Sequence, residues 1–207
     1  MTSKRHLPVL VEESIGAVQA LRTDASTKFG MKVRQGARVT CTPGCAWCCH
    51  HPITISILEG ILIYRWLLKN GRWTLKLQRK LREVAEQQYG TSYEVWLLAL
   101  IPCPLLDEQK KCSAYEARPL ICRTYYSNGD PHYCHPHRLG NQTSIVQRDD
   151  VVSEFHREQE KLLRKHGLQF LTMPIGAAVL LGELVCKEEV NLASVDQILF
   201  QEYVKKG

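Results

Sequence analysis

The stretch Cys41-Thr42-Pro43-Gly44-Cys45-Ala46-Trp47-Cys48-Cys49-His50-His51 places four cysteines and two histidines within eleven residues. Packing in a hydrophobic core calls for no such density, so the loop reads as a site that the rest of the chain completes and holds. Thiols this crowded make either a disulfide framework or a metal site, and compartment separates the two. After Met1-Thr2-Ser3-Lys4-Arg5-His6 comes no apolar run with a small-residue cleavage site, which predicts a cytoplasmic protein with reduced thiols. The chain carries nine cysteines, and an odd count suits a disulfide framework poorly. The expectation is a metal centre.

Eight cysteines lie between positions 41 and 134 and are the candidate metal ligands: Cys41, Cys45, Cys48, Cys49, Cys103, Cys112, Cys122 and Cys134. The ninth, Cys186, sits in an apolar helical run and reads as a core residue. Eight thiolates supply two four-thiolate sites, or one cluster with cysteines to spare. Zinc takes four ligands in a tetrahedron, and iron–sulfur clusters are commonly held by four cysteines. The spacing Cys45-x2-Cys48 suits chelation of one centre. Adjacent Cys48 and Cys49 tend to diverge, so one of them faces a second metal or stays free for redox chemistry. Arg118 and Arg123 flank Cys122, where cations stabilise a thiolate or an anionic cluster; the alternative is surface pairing. His50, His51 and His135 neighbour the cysteines but read as non-ligands in a chain so rich in thiols.

Around these blocks the pattern is helical. Val11, Ile15, Val18 and Leu21 predict a helix over 10–29, closed by Gly30 and followed by an extended connection over 30–40. Ser56-Ile57-Leu58-Glu59 is a capping box that starts a second helix, ended by Asn70-Gly71. Ile53, Ile55 and Ile57 alternate as a short strand would. Glu59 reads as a capping residue rather than a ligand or base. A third helix covers 74–88, with Leu77, Leu81, Val84 and Ala85 as its stripe. A fourth, Tyr93 to Ile101, is capped by Thr91 or Ser92. It is apolar nearly all round, which predicts burial. Ser113-Ala114-Tyr115-Glu116 repeats the capping-box pattern for a short helical piece, and Asn128-Gly129-Asp130-Pro131 is a turn. A long helix is expected over 145–166, with Val151, Val152, Phe155, Leu162 and Leu163 in the core. Further helices are expected over 175–187 and 194–204. No convincing set of sheet strands emerges. The predicted fold is mainly α, a single domain over 1–207. It has a loop-rich cysteine core at 41–135 and a C-terminal helical part at 144–204.

Taken together, these motifs are similar to a known family. Cys45-x2-Cys48-Cys49, Ile55-Ser56-x2-Glu59, Pro102-Cys103-Pro104-Leu105-Leu106 and Cys112-Ser113-x-Tyr115-Glu116-x-Arg118-Pro119-x2-Cys122-Arg123 agree in order and spacing. The chain resembles the zinc- or iron-chelating domains named for a CxxCxxCC motif, the YkgJ-like cysteine-cluster proteins, over roughly 41–135. One departure is that three residues, not two, separate Cys41 from Cys45. The resemblance implies a cytosolic metal-binding protein, with an iron–sulfur centre among the options. Because similar clusters occur in flagellin lysine methylases, it also implies a modification enzyme as an option.

Other chemistries fit less well. Cys41-x3-Cys45-x2-Cys48 matches the spacing by which radical-SAM enzymes hold a cluster. The strand–helix alternation of their barrel is missing, however, and extra cysteines stand ready to fill the open coordination position. Seven basic residues (Arg65, Lys69, Arg72, Lys76, Arg79, Lys80, Arg82) lie between Glu59 and Glu83 with Tyr64, Trp66 and Trp73 among them. That pattern suits nucleic acid, but the aromatics fall on apolar stripes, which favours a solvated helix face. A Cys–His hydrolase uses an isolated nucleophile, and no phosphate-binding loop, dinucleotide fingerprint or HExxH motif is present. The formal charge of +6 demands no nucleic acid, and metal-bound thiolates offset part of it. The longest apolar run, 173–185, is too short to span a bilayer. The expectation is a metal protein with an iron–sulfur centre preferred to Zn2+ and a redox, sensing or protein-modification role. An unidentified macromolecular partner is expected, and no catalytic residue is identified. The alternatives are a structural zinc protein that binds nucleic acid or protein, and a radical-SAM-like or lysine-methylase-like enzyme.

Overall fold

The computed structural model describes residues 7–34, 39–42, 44–138, 145–147 and 149–188. Seven α-helices and two pairs of three-residue strands occur among them, so the fold is mainly α. The helix expected over 194–204 lies outside the described residues.

Two helices form the centre. In α2 (Ile57–Lys69) Ser56 accepts from Glu59 N and the Glu59 carboxylate accepts from Ser56 N, the capping box expected from sequence. In α7 (Ile175–Cys186) every residue from Ile175 to Leu184 is buried. Apart from Glu183, which accepts from Trp73 Nε1 (2.9 Å), the run is apolar, and such a helix has to be covered on all sides. The two approach closely because Gly60 lies on Ala178 and Gly182 lies on Ile61. Gly176 gives α7 the same access to Leu81 of α3 (Leu75–Gln88). Strand β1 (Thr54–Ser56) runs into α2, and β4 (Thr172–Pro174) runs into α7. They pair antiparallel with Ile55 opposite Met173. Bonds from Ile57 N to Leu171 O (3.2 Å) and from Ile175 N to Ile53 O (3.1 Å) extend the pairing, so both helix starts are fixed together.

The N-terminal helix α1 runs from Leu7 to Arg34, not from 10 to 29, and replaces the first five residues of the extended connection expected over 30–40. Gly30 does not close it. One glycine costs a helix about 1 kcal/mol, and Phe29 more than offsets that: its ring is buried and stacks on Tyr126 at 5.4 Å. Helix α6 (Asp149–Lys165) packs Val152, Phe155 and Leu163 inward, but starts later than expected. Residues Ile145–Gln147 form β3, antiparallel to β2 (Tyr125–Ser127). For a β-branched pair such as Ile145-Val146, a distant strand partner outweighs helix continuation.

Helix α4 is also shorter than expected, Tyr93–Ala99, and ends at Leu100 in the left-handed conformation (φ 51°). It is not buried all round. Trp96 is, while Val95 and Leu98 are 58% and 65% exposed. Seven residues make two turns, and α4 turns only one stripe inward. Ser92 supplies its cap and Thr74 that of α3. The second capping box does not form. Ser113 Oγ donates to Leu105 O (2.9 Å), and residues Tyr115–Ala117 make a 3-10 turn without a side-chain cap. Among the described residues, no helix is long and apolar enough to cross a membrane.

Candidate metal centre

Three segments bring the cysteines together. The first is anchored ahead of Cys41, where Thr40 N and Oγ1 donate to Ser127 O (2.9 and 3.0 Å) and Oγ1 also meets Gly129 O. Gly44, at φ +90°, turns the loop in a conformation that favours glycine. Residues Trp47–His50 then make a 3-10 turn, with Cys49 N bonded to Ala46 O (3.0 Å). The thiols of Cys48 and Cys49 do not diverge: Cys49 is the largest influence on the Cys48 thiol and raises it.

The second segment is a tight loop. Leu106 pairs with Cys112 across it, and Ser113 N donates to Leu105 O (2.7 Å), so Cys103 and Cys112 sit on facing arms. Asp107 Oδ1 closes its tip by accepting from Gln109 N and Lys111 N (2.9 and 2.8 Å). Cys103 N donates to Cys49 O (2.6 Å), which ties the second segment to the first. Cys122 follows on the short helix α5 (Leu120–Arg123).

The third segment carries Cys134 at the end of the 3-10 turn Pro131–Cys134, which Asp130 caps through His132 N (2.9 Å). The carbonyl of Cys134 accepts from His51 Nε2 (3.0 Å), so His51 acts as a strut. His50 Nδ1 donates to Ala46 O (3.1 Å), and His135 packs on Trp47 with ring centroids 4.6 Å apart. Cys186 stands apart on α7, where Arg65 Nε donates to its sulfur (3.4 Å).

Electrostatics sort the thiols further. Burial raises Cys122 well above the ordinary thiol range, and Cys103, Cys48 and Cys112 are the next influences on it. Burial likewise pushes Cys103 up to about 12 and Cys134 up to about 11. Cys48 is raised by its bond to Cys49 and then by burial. Opposing these shifts, backbone amides favour the thiolates in a repeated register: that of Trp47 at Cys45, of Leu105 at Cys103 and of Ala114 at Cys112. Each amide lies two residues beyond its cysteine. Among the described residues no three Cys, His, Asp or Glu side chains already stand in a metal-holding arrangement.

The donor set fits a soft-ligand metal centre, and Arg118 adds a second sign. Its charge favours the thiolates of Cys48, Cys112 and Cys122. Its guanidinium lies over Tyr115 at 4.0 Å, and its Nε is buried without a hydrogen-bond partner. A buried orphaned donor of a cation, facing thiols, suits a site that becomes anionic. Arg123 does something else. It donates from Nε to Arg118 O (2.9 Å) and meets Glu116 O, so it braces the turn before Cys122.

One residue's role was out of reach of the sequence pattern. Besides capping α2, Glu59 accepts from Leu120 N at Oε1 (2.8 Å), and thereby sets the start of the helix that carries Cys122. The box revealed its local half; nothing signalled a partner 61 residues away. Burial raises its pKa while the Leu120 and Ser56 amides hold it down. Glu59→Ala strips the acceptor from two buried amides, each worth about 1–3 kcal/mol. The variant is expected to unfold at clearly lower urea, with Glu59→Gln in between because it retains one acceptor oxygen. An alanine variant as stable as the parent would contradict this role.

No curated protein and no solved structure matches the chain. A family model described as a "putative zinc- or iron-chelating domain" matches residues 40–156. That span runs from the anchor of the first cysteine loop into α6 and includes all eight clustered thiols. With more than half of its length covered, the chain belongs to the metal-chelating CxxCxxCC family.

Proposed function

We propose that the chain is a metal–thiolate protein whose centre is an iron–sulfur one, serving redox, sensing or cluster-assisted modification of a macromolecule in the cytoplasm. The carrying observation is the crowding of largely buried thiols with the cation of Arg118, whose charge, like the amides two residues beyond Cys45, Cys103 and Cys112, favours their thiolates. Amide dipoles at sulfur, together with burial, are among the protein's means of setting an iron–sulfur potential. When bound, a cluster would supply one-electron chemistry. The residues' part is to hold it: Cys48, Cys103, Cys112 and Cys122 as ligands, Arg118 as the compensating cation. The reading assigns no catalytic residue.

The rival is a structural zinc centre with a nucleic-acid or protein partner. The basic stretch lends nucleic acid no support. Arg65 pairs with Glu12, Lys76 with Glu108 (2.7 Å), and Lys80 bonds Leu106 O (2.5 Å). Arg72 bonds Ser113 O (2.8 Å) and covers Trp66, and Tyr64 is buried against Trp73. Metal and acid-labile sulfide analysis of protein purified without oxygen separates the two. Iron and sulfide in near-equal amounts with broad visible absorption are expected; zinc alone, colourless, would sink the iron–sulfur reading.

Either metal has to displace protons. With Cys103 at about 12 and Cys134 at about 11, both are neutral thiols in the metal-free chain at pH 7. Both values are raised above the unfolded thiol's ~8.5. Their contribution to metal-free stability is therefore full below that value and is lost as pH climbs through the folded values. Adding Zn(II) to metal-free protein in weak buffer at pH 7 is expected to acidify it, with at least one proton from each of these thiols. Uptake without acidification would contradict their role as ligands.

A further inference from the structure

Helices α1 and α6 lie side by side and run antiparallel. Phe29, near the end of α1, stacks on Tyr126; Tyr126 pairs with Val146 in β3, and α6 begins just beyond, at Asp149. Between the two helices lies an open groove of about 880 Å3, bounded by 17–24 of α1 and 158–165 of α6. Its floor is apolar: Leu21 and Leu162 are half-buried there, with Ala17 and Ala20 beside them. The charges around it are sorted. Asp24 and Glu158 stand at one end, and Arg164 and Lys165 at the other, about 10 Å away along the helices. The antiparallel course produces this sorting, because it sets position 24 level with 158 and position 17 level with 165.

An occupant of a single charge sign is repelled at one end. A nucleic acid or an acidic peptide meets Asp24 and Glu158, and a basic peptide meets Arg164 and Lys165. A second copy of the chain presents the same sorted groove. A two-fold axis running across the groove lays the acidic end of each copy on the basic end of the other, which makes the face self-complementary. We infer that two copies of this chain meet on this groove about such an axis. The two α1 helices then cross at Ala17 and Ala20, whose small side chains permit close approach. Glu158 of each copy faces Arg164 and Lys165 of the other. The existing pairs Lys28–Asp24 (2.6 Å), Lys161–Glu158 (2.8 Å) and Arg164–Glu160 (2.6 Å) are exposed and weak, so they yield readily to charges of the second copy. Removal of Leu21 and Leu162 from water drives the association, and the sorted charges fix its direction.

None of these residues is a candidate metal ligand, so the inference stands apart from the metal–thiolate reading. Full-length protein as purified, kept reduced so that no disulfide links two chains, is followed by sedimentation equilibrium across the micromolar range. Twice the chain mass of 23.7 kDa is expected. Ala20 is exposed on α1, so Ala20→Arg spares the core; it should sediment as a monomer with the parent's helical circular dichroism. Glu158→Lys and Lys165→Glu should each raise the dissociation constant about tenfold or more, and the double variant, in which the two signs are exchanged, should recover most of the loss. A parent that stays monomeric overturns the inference. A dimer that Ala20→Arg and both single charge variants leave intact forms elsewhere and overturns it equally. A double variant as weak as the singles overturns the two-fold register.

Discussion

Cys122→Ser is expected to be recovered with a small fraction of the parent's metal and to lose its cooperative unfolding transition, whereas Cys186→Ser keeps both. The charges of Cys103, Cys48 and Cys112 act on Cys122, and α5 is held in place by the Glu59–Leu120 bond. Serine oxygen is a harder and far less acidic donor than sulfur, so one of the proposed ligands is lost. Metal binding to a site that the unfolded chain lacks is itself folding free energy, of order ~10–16 kcal/mol for structural zinc. That exceeds the whole stability of a typical domain, ~5–15 kcal/mol, so a weakened site lowers folded yield along with metal content. Cys186 is remote from these thiols and bonds only to Arg65 among the described contacts. Metal analysis and urea unfolding of both variants check this. Equal metal loss from Cys186→Ser would refute its separation from the centre.

Gly60→Ala is expected to destabilise the fold by several kcal/mol, although alanine favours helices over glycine by about 1 kcal/mol. A Cβ at position 60 would run into the backbone carbonyl of Ala178 and stand 2.9 Å from the Ala178 Cβ. Those are backbone and near-backbone atoms of a fully buried helix, and no side chain can swing aside. Either α2 and α7 separate or α2 shifts. Overpacking costs about 1–3 kcal/mol where a core relaxes, and this contact offers little relaxation. The shift also reaches the metal centre, because Ser56 and Glu59 at the start of α2 position α5. Gly16 is the internal control: it is exposed on α1, and a Cβ there meets nothing within 4 Å. Gly16→Ala should raise the urea midpoint while Gly60→Ala lowers it. Equal midpoints would show that the α2–α7 contact is looser than described.

Legibility from sequence followed the reach of the interactions. Caps at Ser56, Thr74 and Ser92 close within three residues; those at Ser56 and Ser92 were readable from side-chain type and spacing, while Thr74 was read only as the start of its helix. The stop at Asn70 was equally local. Three expectations failed where a distant group competed. Ser113 spent its hydroxyl on Leu105, Ile145-Val146 paired with β2, and Gly30 was carried through by the Phe29–Tyr126 stack. For α4, composition predicted burial; Val95 and Leu98 are exposed.

For the centre, residue chemistry alone supplied the class. Crowded thiols with an odd count point to metal, because thiolates are soft, chelating donors. What the chain order could not express is which thiols meet. Cys41 Sγ accepts from Ser127 N, Cys103 is delivered to Cys49, and Glu59 holds the helix of Cys122. Each of these contacts joins residues more than fifty positions apart. Hydrogen bonds and burial act through space at a few ångströms, so the candidate donors are legible in the sequence, while which of them the fold brings close is decided by the tertiary structure.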